Sequence, residues 1–284
     1  MRLVIANPTS CGGKALDTLE RFSSFLKQEG LPFLVYKTKP QNNTPAIHQL
    51  ISEYSIENIT ILGGDGTINI VLNALPHLNF KLHLIPAGTG NDLAKMIYEK
   101  VDEDITFSLV KERSSIKKID SWKCNEYRFC NGFGAGFDGE IAHRMYQKKY
   151  WLPSKLKYWI EIFRLIFSYR STEVEINGTK TDVFMLAAAN GKVYGGSFNI
   201  APNAVANDGL LEIVKIGKVS VLKRFFYLPK IEKGIHLDLD VIDYTKQSSL
   251  EIKSEKALPA HLEGEPILAK HYVIEKEGEL QFIV

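Results

Sequence analysis

The sequence predicts a chain in two parts: an α/β part with a parallel sheet over residues 1–115, and a β-rich part over 116–277 interrupted by a helical insertion at about 139–170. Three observations carry this reading. Up to about residue 100, apolar strand-like runs alternate with segments of helical periodicity. Three of those runs end in small-residue loops that lead into helix-like stretches. After about residue 115, the pattern becomes short alternating runs separated by turn residues. Alternation of strand and helix implies crossovers and a parallel sheet, whereas short runs joined by tight turns imply antiparallel pairing.

The elements follow in order. Leu3 to Ala6 reads as a strand, followed by the loop Asn7-Pro8-Thr9-Ser10-Cys11-Gly12-Gly13 and a helix whose buried face is Leu16, Leu19, Phe22 and Leu26. Phe33 to Tyr36 is a second strand, and Ile47, Leu50, Ile51 and Tyr54 mark a second helix face. Ile59 to Leu62 runs into Gly63-Gly64-Asp65-Gly66-Thr67 and a helix through Ile68, Asn69 and Val71. Leu82 to Pro86 runs into Ala87-Gly88-Thr89-Gly90-Asn91-Asp92 and a helix from Leu93. In the second part, strands are predicted at 116–122, 127–130, 172–176, 183–188, 210–216 and 250–253, and Asn177-Gly178 signals a type I′ hairpin. Leu280 to Val284 forms one more strand, and the sequence leaves open which sheet takes it.

Composition narrows the class. With 284 residues and 45% hydrophobic content, the chain can bury sizeable cores. A net charge of +2 provides no general basic field for nucleic acid. No apolar run is long enough to span a bilayer, and Met1 to Ala6 is too short for a signal sequence, so a cytoplasmic location is expected. Cys11, Cys124 and Cys130 lack metal-ligand spacing and are expected as reduced thiols.

The loops carry the chemistry. A strand, a glycine turn and a helix N-terminus together present backbone N–H groups and the positive end of a helix dipole, a setting suited to phosphate. Asp65 in the middle of such a turn calls for a cation, and Mg²⁺ shared with phosphates points to a nucleotide. Any one loop alone is equally well an ordinary βα turn; three at the carboxyl ends of parallel strands converge on one ligand. Gly134-Ala135-Gly136-Phe137-Asp138-Gly139 also matches G-x-G-x-x-G, with Glu161 downstream, but the antiparallel context argues against a dinucleotide fingerprint. From Ile141 to Tyr169, aromatic residues (Tyr146, Tyr150, Trp151, Tyr158, Trp159, Phe163, Phe167) mix with Arg144, Lys148, Lys149, Lys155, Lys157 and Arg164. That mixture suits an anionic membrane surface, and equally a core-packing helix pair with a solvated face.

In this order, Asn7-Pro8, Gly63 to Thr67, Gly88 to Asp92, Asn131 to Asp138, Ala201-Pro202 and Asn207-Asp208-Gly209-Leu210-Leu211 resemble the diacylglycerol kinase catalytic-domain family in its bacterial soluble form, which is related to sphingosine kinases and NAD kinases. The resemblance spans nearly the whole chain. It implies an N-terminal nucleotide-binding domain of the NAD-kinase/phosphofructokinase type and a C-terminal β-sandwich-like domain, with the chain end (278–284) returning to the first. It implies an ATP- and Mg²⁺-dependent lipid kinase, with diacylglycerol as first acceptor. Such an enzyme works in the cytoplasm, peripheral to the inner membrane face, and a homodimer is compatible with it. ATP would be held by Asn7, Pro8, Thr9, Thr38, Gly63, Gly64, Asp65, Gly66, Thr67, Asn69, Gly88, Thr89, Asn91 and Asp92, with Asp65 also placing Mg²⁺. His261-Leu262-Glu263-Gly264-Glu265 resembles the family's late Asp-Gly-Glu motif and makes Glu265 the base. Asp208, with backbone oxygens of Val205 and Leu210, matches a structural Mg²⁺ position. Two departures stand out: Glu263 replaces the family's Asp, and Cys11 replaces a glycine. Another small-molecule kinase such as an NAD kinase, or a nucleotide- or lipid-binding regulator without turnover, are the alternatives.

Overall fold

The computed structural model describes residues 1–98, 102–111, 114–148, 154–195 and 198–284. Lys149, Tyr150, Trp151 and Leu152 of the aromatic-basic stretch lie outside the described residues, as does the side chain of Lys155. The chain forms two compact units, Met1–Ser121 with Gly278–Val284, and Trp122–Glu277.

In the first unit, β1 (Arg2–Ala6), β2 (Phe33–Lys37), β3 (Asn58–Gly63) and β4 (Lys81–Pro86) pair in parallel in the order β2-β1-β3-β4. Gln281 and Phe282 add a further parallel strand beside Lys81 and Leu82 of β4. The connections are the helices α1 (Lys14–Gln28), α2 (Asn43–Tyr54) and α3 (Asp65–Ala74), and α4 (Asp92–Ile97) and α5 (Glu103–Ser108) follow β4. β1, β3 and β4 are near-continuous apolar runs because helices cover both faces of a parallel sheet. One face buries Val4, Ala6, Leu62 and Ile85 against Leu19, Phe22 and Leu26 of α1. A buried polar thread crosses this core. His83 donates from Nε2 to the Thr106 carbonyl (2.8 Å), and its Nδ1 faces Thr60 Oγ1 at 3.2 Å. Burial, aided by the nearby Arg2 charge, pushes the His83 pKa down to about 3, so the ring is neutral.

The second unit is antiparallel. Its strands are β5 (Ile116–Cys124), β6 (Tyr127–Phe129), β7 (Gly132–Gly136), β8 (Thr172–Ile176), β9 (Thr179–Val183), β10 (Met185–Ala189), β11 (Leu211–Ile216), β12 (Ile242–Gln247), β13 (Ser249–Leu262) and β14 (Glu265–Ile283). The two ends of β5 and of β14 are shared between the units. One sheet path runs β12-β11-β10-β7-β13-β14. A register shift between Lys253 and Leu258 lets β13 pair with β8 in its first half and with β7 in its second. The strands fold over a core of Trp122, Phe129, Phe133, Leu186, Ile252 and Tyr272. Asn177 and Gly178 both take positive φ in the β8–β9 hairpin, as a type I′ turn requires.

The helical insertion consists of α6 (Phe137–Gln147) and α7 (Ser154–Ile166), and an additional helix, α8 (Val221–Lys233), lies between β11 and β12. These helices cover the other face of the sheet, burying Ile141, Ile162, Leu165, Phe184, Val214 and Ile231. Part of the aromatic-basic stretch therefore serves the core: Tyr158 and Trp159 pack inward, while Tyr146, Phe163 and Phe167 are exposed. Glu161 is fully buried and held by Lys148 (2.9 Å) and Arg164 (2.7 Å), so its carboxylate is committed within the helical layer.

Candidate active site

In the first unit the predicted loops all follow carboxyl ends of parallel strands. After β1, Asn7 Oδ1 accepts both the backbone N–H (3.0 Å) and the hydroxyl (2.9 Å) of Thr9, which closes the Asn7-Pro8-Thr9 turn. The turn is tied to the sheet by Asn7 N–H donating to the Leu62 carbonyl. Cys11 takes φ 50°, a left-handed conformation ordinarily left to glycine, and Gly12 and Gly13 continue it. Thr38 follows β2, buried, its N–H on the Ala6 carbonyl.

The loops after β3 and β4 are in direct contact. A Cβ on Gly88 would fall 2.5 Å from the Gly64 Cα, and one on Gly64 would fall 2.9 Å from the Gly88 Cα. Only glycine lets two backbones approach this closely. A Cβ on Gly63 would strike the Thr67 side chain, and one on Gly90 would lie 2.9 Å from Asp65 Oδ2. Asn91, at φ 53°, returns both of its amide atoms to Gly88: Oδ1 accepts from the N–H and Nδ2 donates to the carbonyl, each at 2.9 Å. Gly64 is the N-cap of α3 without a side-chain cap, so the first turn, with Asp65 and Gly66, keeps donors for a ligand. Thr67 is buried and Asn69 half-buried, one and three positions beyond Gly66. Pro8 and Thr89 sit in the first and third loops.

Asp65 and Asp92 face one another electrostatically. Burial first, then the Asp92 charge, push the Asp65 carboxyl up, while backbone N–H groups of residues 91–93 oppose the shift. Asp92 is itself buried, with Lys95 Nζ at 3.1 Å.

In the second unit, Glu265 opens β14 directly after Gly264 (φ 88°). Its side chain is exposed, yet the protein mass around it raises its carboxyl pKa. The result is a carboxylate in contact with water that has lost part of its hydration. Glu263 points elsewhere. Its Oε1 accepts the backbone N–H groups of Cys130 (2.7 Å) and Asn131 (2.8 Å), so it clamps the turn before β7. An aspartate, one methylene shorter, would lack that reach.

Sequence reasoning assigned no role to the pair His261 and Asp138, which the fold joins at 2.8 Å with both side chains buried. Gly264 N–H donates to His261 Nδ1 (3.2 Å), leaving the proton on Nε2 to donate to Asp138. Tyr158 donates to the other Asp138 oxygen at 2.9 Å. A Cβ at Gly134 would lie 2.4 Å from His261 Nε2 and 2.6 Å from Asp138 Oδ2. That glycine therefore makes room for the pair, and Gly139 lets α6 lie against the Pro259 carbonyl. Asp138 and Tyr158 line an apolar pocket walled by residues such as Ile141, Phe184, Phe198 and Ile231.

Asp208 sits in the turn before β11. Its Oδ1 accepts Leu210 N–H (3.0 Å), its Oδ2 lies 3.5 Å from Lys246 Nζ, and its own N–H points to the Val205 carbonyl. Lys246 is shared between Asp208 Oδ2 and Glu212 Oε1, which it approaches at 2.8 Å, and among the described residues no three His, Cys, Asp or Glu side chains cluster for a metal.

Residues 2–124 match the diacylglycerol kinase catalytic domain, and residues 132–275 match the YegS C-terminal NAD kinase beta sandwich-like domain. A protein of Mycobacterium tuberculosis (strain ATCC 25618 / H37Rv) named diacylglycerol kinase is 26% identical over 88% of this chain and 84% of its own length. The diacylglycerol kinase of Bacillus subtilis (strain 168) is 24% identical over 92% and 88%. In fold, the chain is similar to a crystal structure of a diacylglycerol kinase from Bacillus anthracis str. Sterne. That match has a TM-score of 0.76 at 23% identity and covers 99% of this chain and 96% of the other. The two domain matches leave little of the chain outside them, in an α/β unit followed by a β-sandwich-like unit: the chain belongs to the diacylglycerol kinase and YegS-like lipid kinase family.

Proposed function

We propose that the protein is an ATP- and Mg²⁺-dependent kinase that transfers the γ-phosphoryl group of ATP to the free hydroxyl of diacylglycerol, giving phosphatidic acid. The observation that carries this reading is the Gly64–Gly88 approach, which packs two glycine loops at adjacent strand ends, in a chain of the lipid kinase family. The Asn7 to Thr9 turn, the Gly63 to Thr67 loop and the Gly88 to Asp92 loop hold the phosphates through backbone N–H groups and the Thr67 and Thr89 hydroxyls, with Thr38 and Asn69 flanking them. Two carboxylates that disfavour each other's charge, Asp65 and Asp92, fit a divalent cation bridged to phosphates. Bound there, Mg²⁺ would neutralise charge on the phosphate oxygens. The turn at Asp208, Val205 and Leu210 fits a metal only if Lys246 is displaced, and no step is routed through it.

Glu265 takes the proton of the lipid hydroxyl as the oxygen attacks. A raised pKa makes its carboxylate a stronger base than an ordinary glutamate. The pocket beside Asp138 has an apolar lining of the kind that suits an acyl chain, and this favours a lipid over a soluble acceptor such as NAD⁺. An anionic membrane would present that lipid.

The test is transfer of labelled γ-phosphate from Mg²⁺-ATP to a lipid panel in anionic vesicles, with Glu265→Gln alongside and NAD⁺ as soluble acceptor. Labelled phosphatidic acid that disappears in Glu265→Gln supports the whole reading. Label in NADP⁺, or ATP binding without any labelled acceptor, refutes it.

A further inference from the structure

We infer that the outer face of α8, together with Phe163 and Phe167 at the end of α7, is the surface that docks on an anionic bilayer. α8 divides its residues by helical spacing. Arg224, Tyr227, Leu228 and Ile231 line the cavity, while Leu222, Phe226, Pro229, Lys230 and Lys233 are exposed. Leu222 is 75% and Phe226 72% exposed, large values for apolar side chains one helical turn apart. The patch continues onto α7. Phe167, 64% exposed, packs tilted against Phe225 with ring centroids 5.3 Å apart, and Arg224 Nη1 donates to the Ile166 carbonyl at 2.5 Å, joining the two helices.

The charge around the patch selects the occupant. α8 presents Lys223, Lys230 and Lys233 outward against one acid, Glu232, while Arg224 turns toward the cavity. Outside the helix, Asp240 is held by Lys223 at 3.1 Å; on α7, Glu161 is buried between Lys148 and Arg164. Exposed rings and leucine with lysines at their margin match the acyl boundary and the phosphates of an anionic lipid surface. A second copy fits poorly, since a two-fold contact would press one net-basic face against another. The same two helices line the apolar cavity with their inner faces, so a bilayer on the outer face lies against the walls of that cavity. The inference deepens the lipid-kinase reading but is tested without turnover.

The full chain is sedimented with sucrose-loaded vesicles of phosphatidylcholine alone or mixed with phosphatidylglycerol, with no nucleotide. The wild type is expected to pellet with the anionic vesicles. Leu222→Ser with Phe226→Ser is expected to lower the partition coefficient by about tenfold or more, with the melting temperature unchanged because both side chains are exposed. Lys230→Gln with Lys233→Gln should bind less at low salt and match the wild type at high salt. A serine variant that pellets like the wild type overturns the inference. Should that variant misfold, Phe226→Cys in a Cys11→Ser background, labelled with an environment-sensitive dye, must shift to the blue on anionic vesicles; an unchanged spectrum overturns the inference. So does a wild type that stays in solution as a dimer dissociated by the serine pair. Vesicle binding without lipid phosphorylation upholds the surface and sinks the kinase reading.

Discussion

His261 and Asp138, 123 positions apart in sequence, meet at 2.8 Å with both side chains out of contact with water. Burial alone would raise the Asp138 carboxyl, but His261, Tyr158 and Tyr194 outweigh it and hold it below the usual carboxylate range. A depressed folded pKa stabilises the fold above the ordinary aspartate value, and that stability is lost as pH falls through the folded pKa. In Asp138→Asn the amide oxygen can accept from only one of His261 and Tyr158, and the NH₂ group meets the other donor. The expected cost is about 1–3 kcal/mol, read as a lowered denaturation midpoint in urea.

The Glu263 clamp makes a second test. Glu263→Asp restores the family's residue but shortens the side chain that reaches the N–H groups of Cys130 and Asn131. We expect about 1–3 kcal/mol of destabilisation and a fall in kcat of up to about 10²-fold, because the same turn carries Glu265. An equally stable and fully active variant would mean that the clamp is dispensable.

Glu265→Gln should lower kcat by about 10²–10⁴-fold while leaving nucleotide binding intact. In the wild type, the raised pKa moves the acidic limb of the kcat/KM profile above the usual glutamate value of about 4.3. A limb at or below that value would remove Glu265 as the group titrating.

At the loop contact, Gly88→Ala places a methyl group 2.5 Å from the Gly64 Cα and 2.7 Å from Asn91 Oδ1. Backbone cannot yield as a flexible side chain can. We expect a loss of about 1–3 kcal/mol in stability and at least about tenfold weaker ATP binding, measured by calorimetry.

His83 gives the first unit an acid sensitivity. Its folded pKa of about 3 lies below the unfolded value, so the unfolded chain binds the extra proton between the two and stability falls as pH drops from about 6.5 toward 3. The slope approaches about 1.4 kcal/mol per pH unit for this one group. Between pH 6 and 5, before most carboxylates titrate, His83→Gln should flatten the pH dependence of unfolding, followed by hydrogen exchange in β3 and β4.

Much of this was legible in the sequence wherever a residue type has one structural use. Gly63, Gly64 and Gly88 marked their turns because a Cβ at any of them would collide, and Asn91 because asparagine takes positive φ more readily than most residues; Asn177-Gly178 marked its hairpin likewise. The apolar runs of β1, β3 and β4 announced a sheet covered on both faces. What the chain hid was pairing at a distance. Asp138 and His261 lay inside quoted motifs, yet nothing local says that β7 and β13 become neighbours through a register shift near Lys253. Glu263 stood out as a departure, whereas its use as a backbone clamp depends on where residues 130–131 come to lie. The aromatic-basic stretch left two readings open, and the described residues divide between them: Tyr158 is core, Phe163 and Phe167 are surface. α8 went unnoticed, though Leu222 and Phe226 at one-turn spacing among lysines are a signal that could have found it.

Gln281 and Phe282 join the sheet beside Lys81 and Leu82, 200 positions away in sequence. β4 therefore has no partner on that side until nearly the whole chain has been made. A ribosome releases the first unit's helices and four of its strands early, but β4 leaves the exit tunnel as a bare edge, open to strangers. That side of β4 is closed only by residues made 200 positions later, and an edge open over such an interval is a template for pairing with another chain.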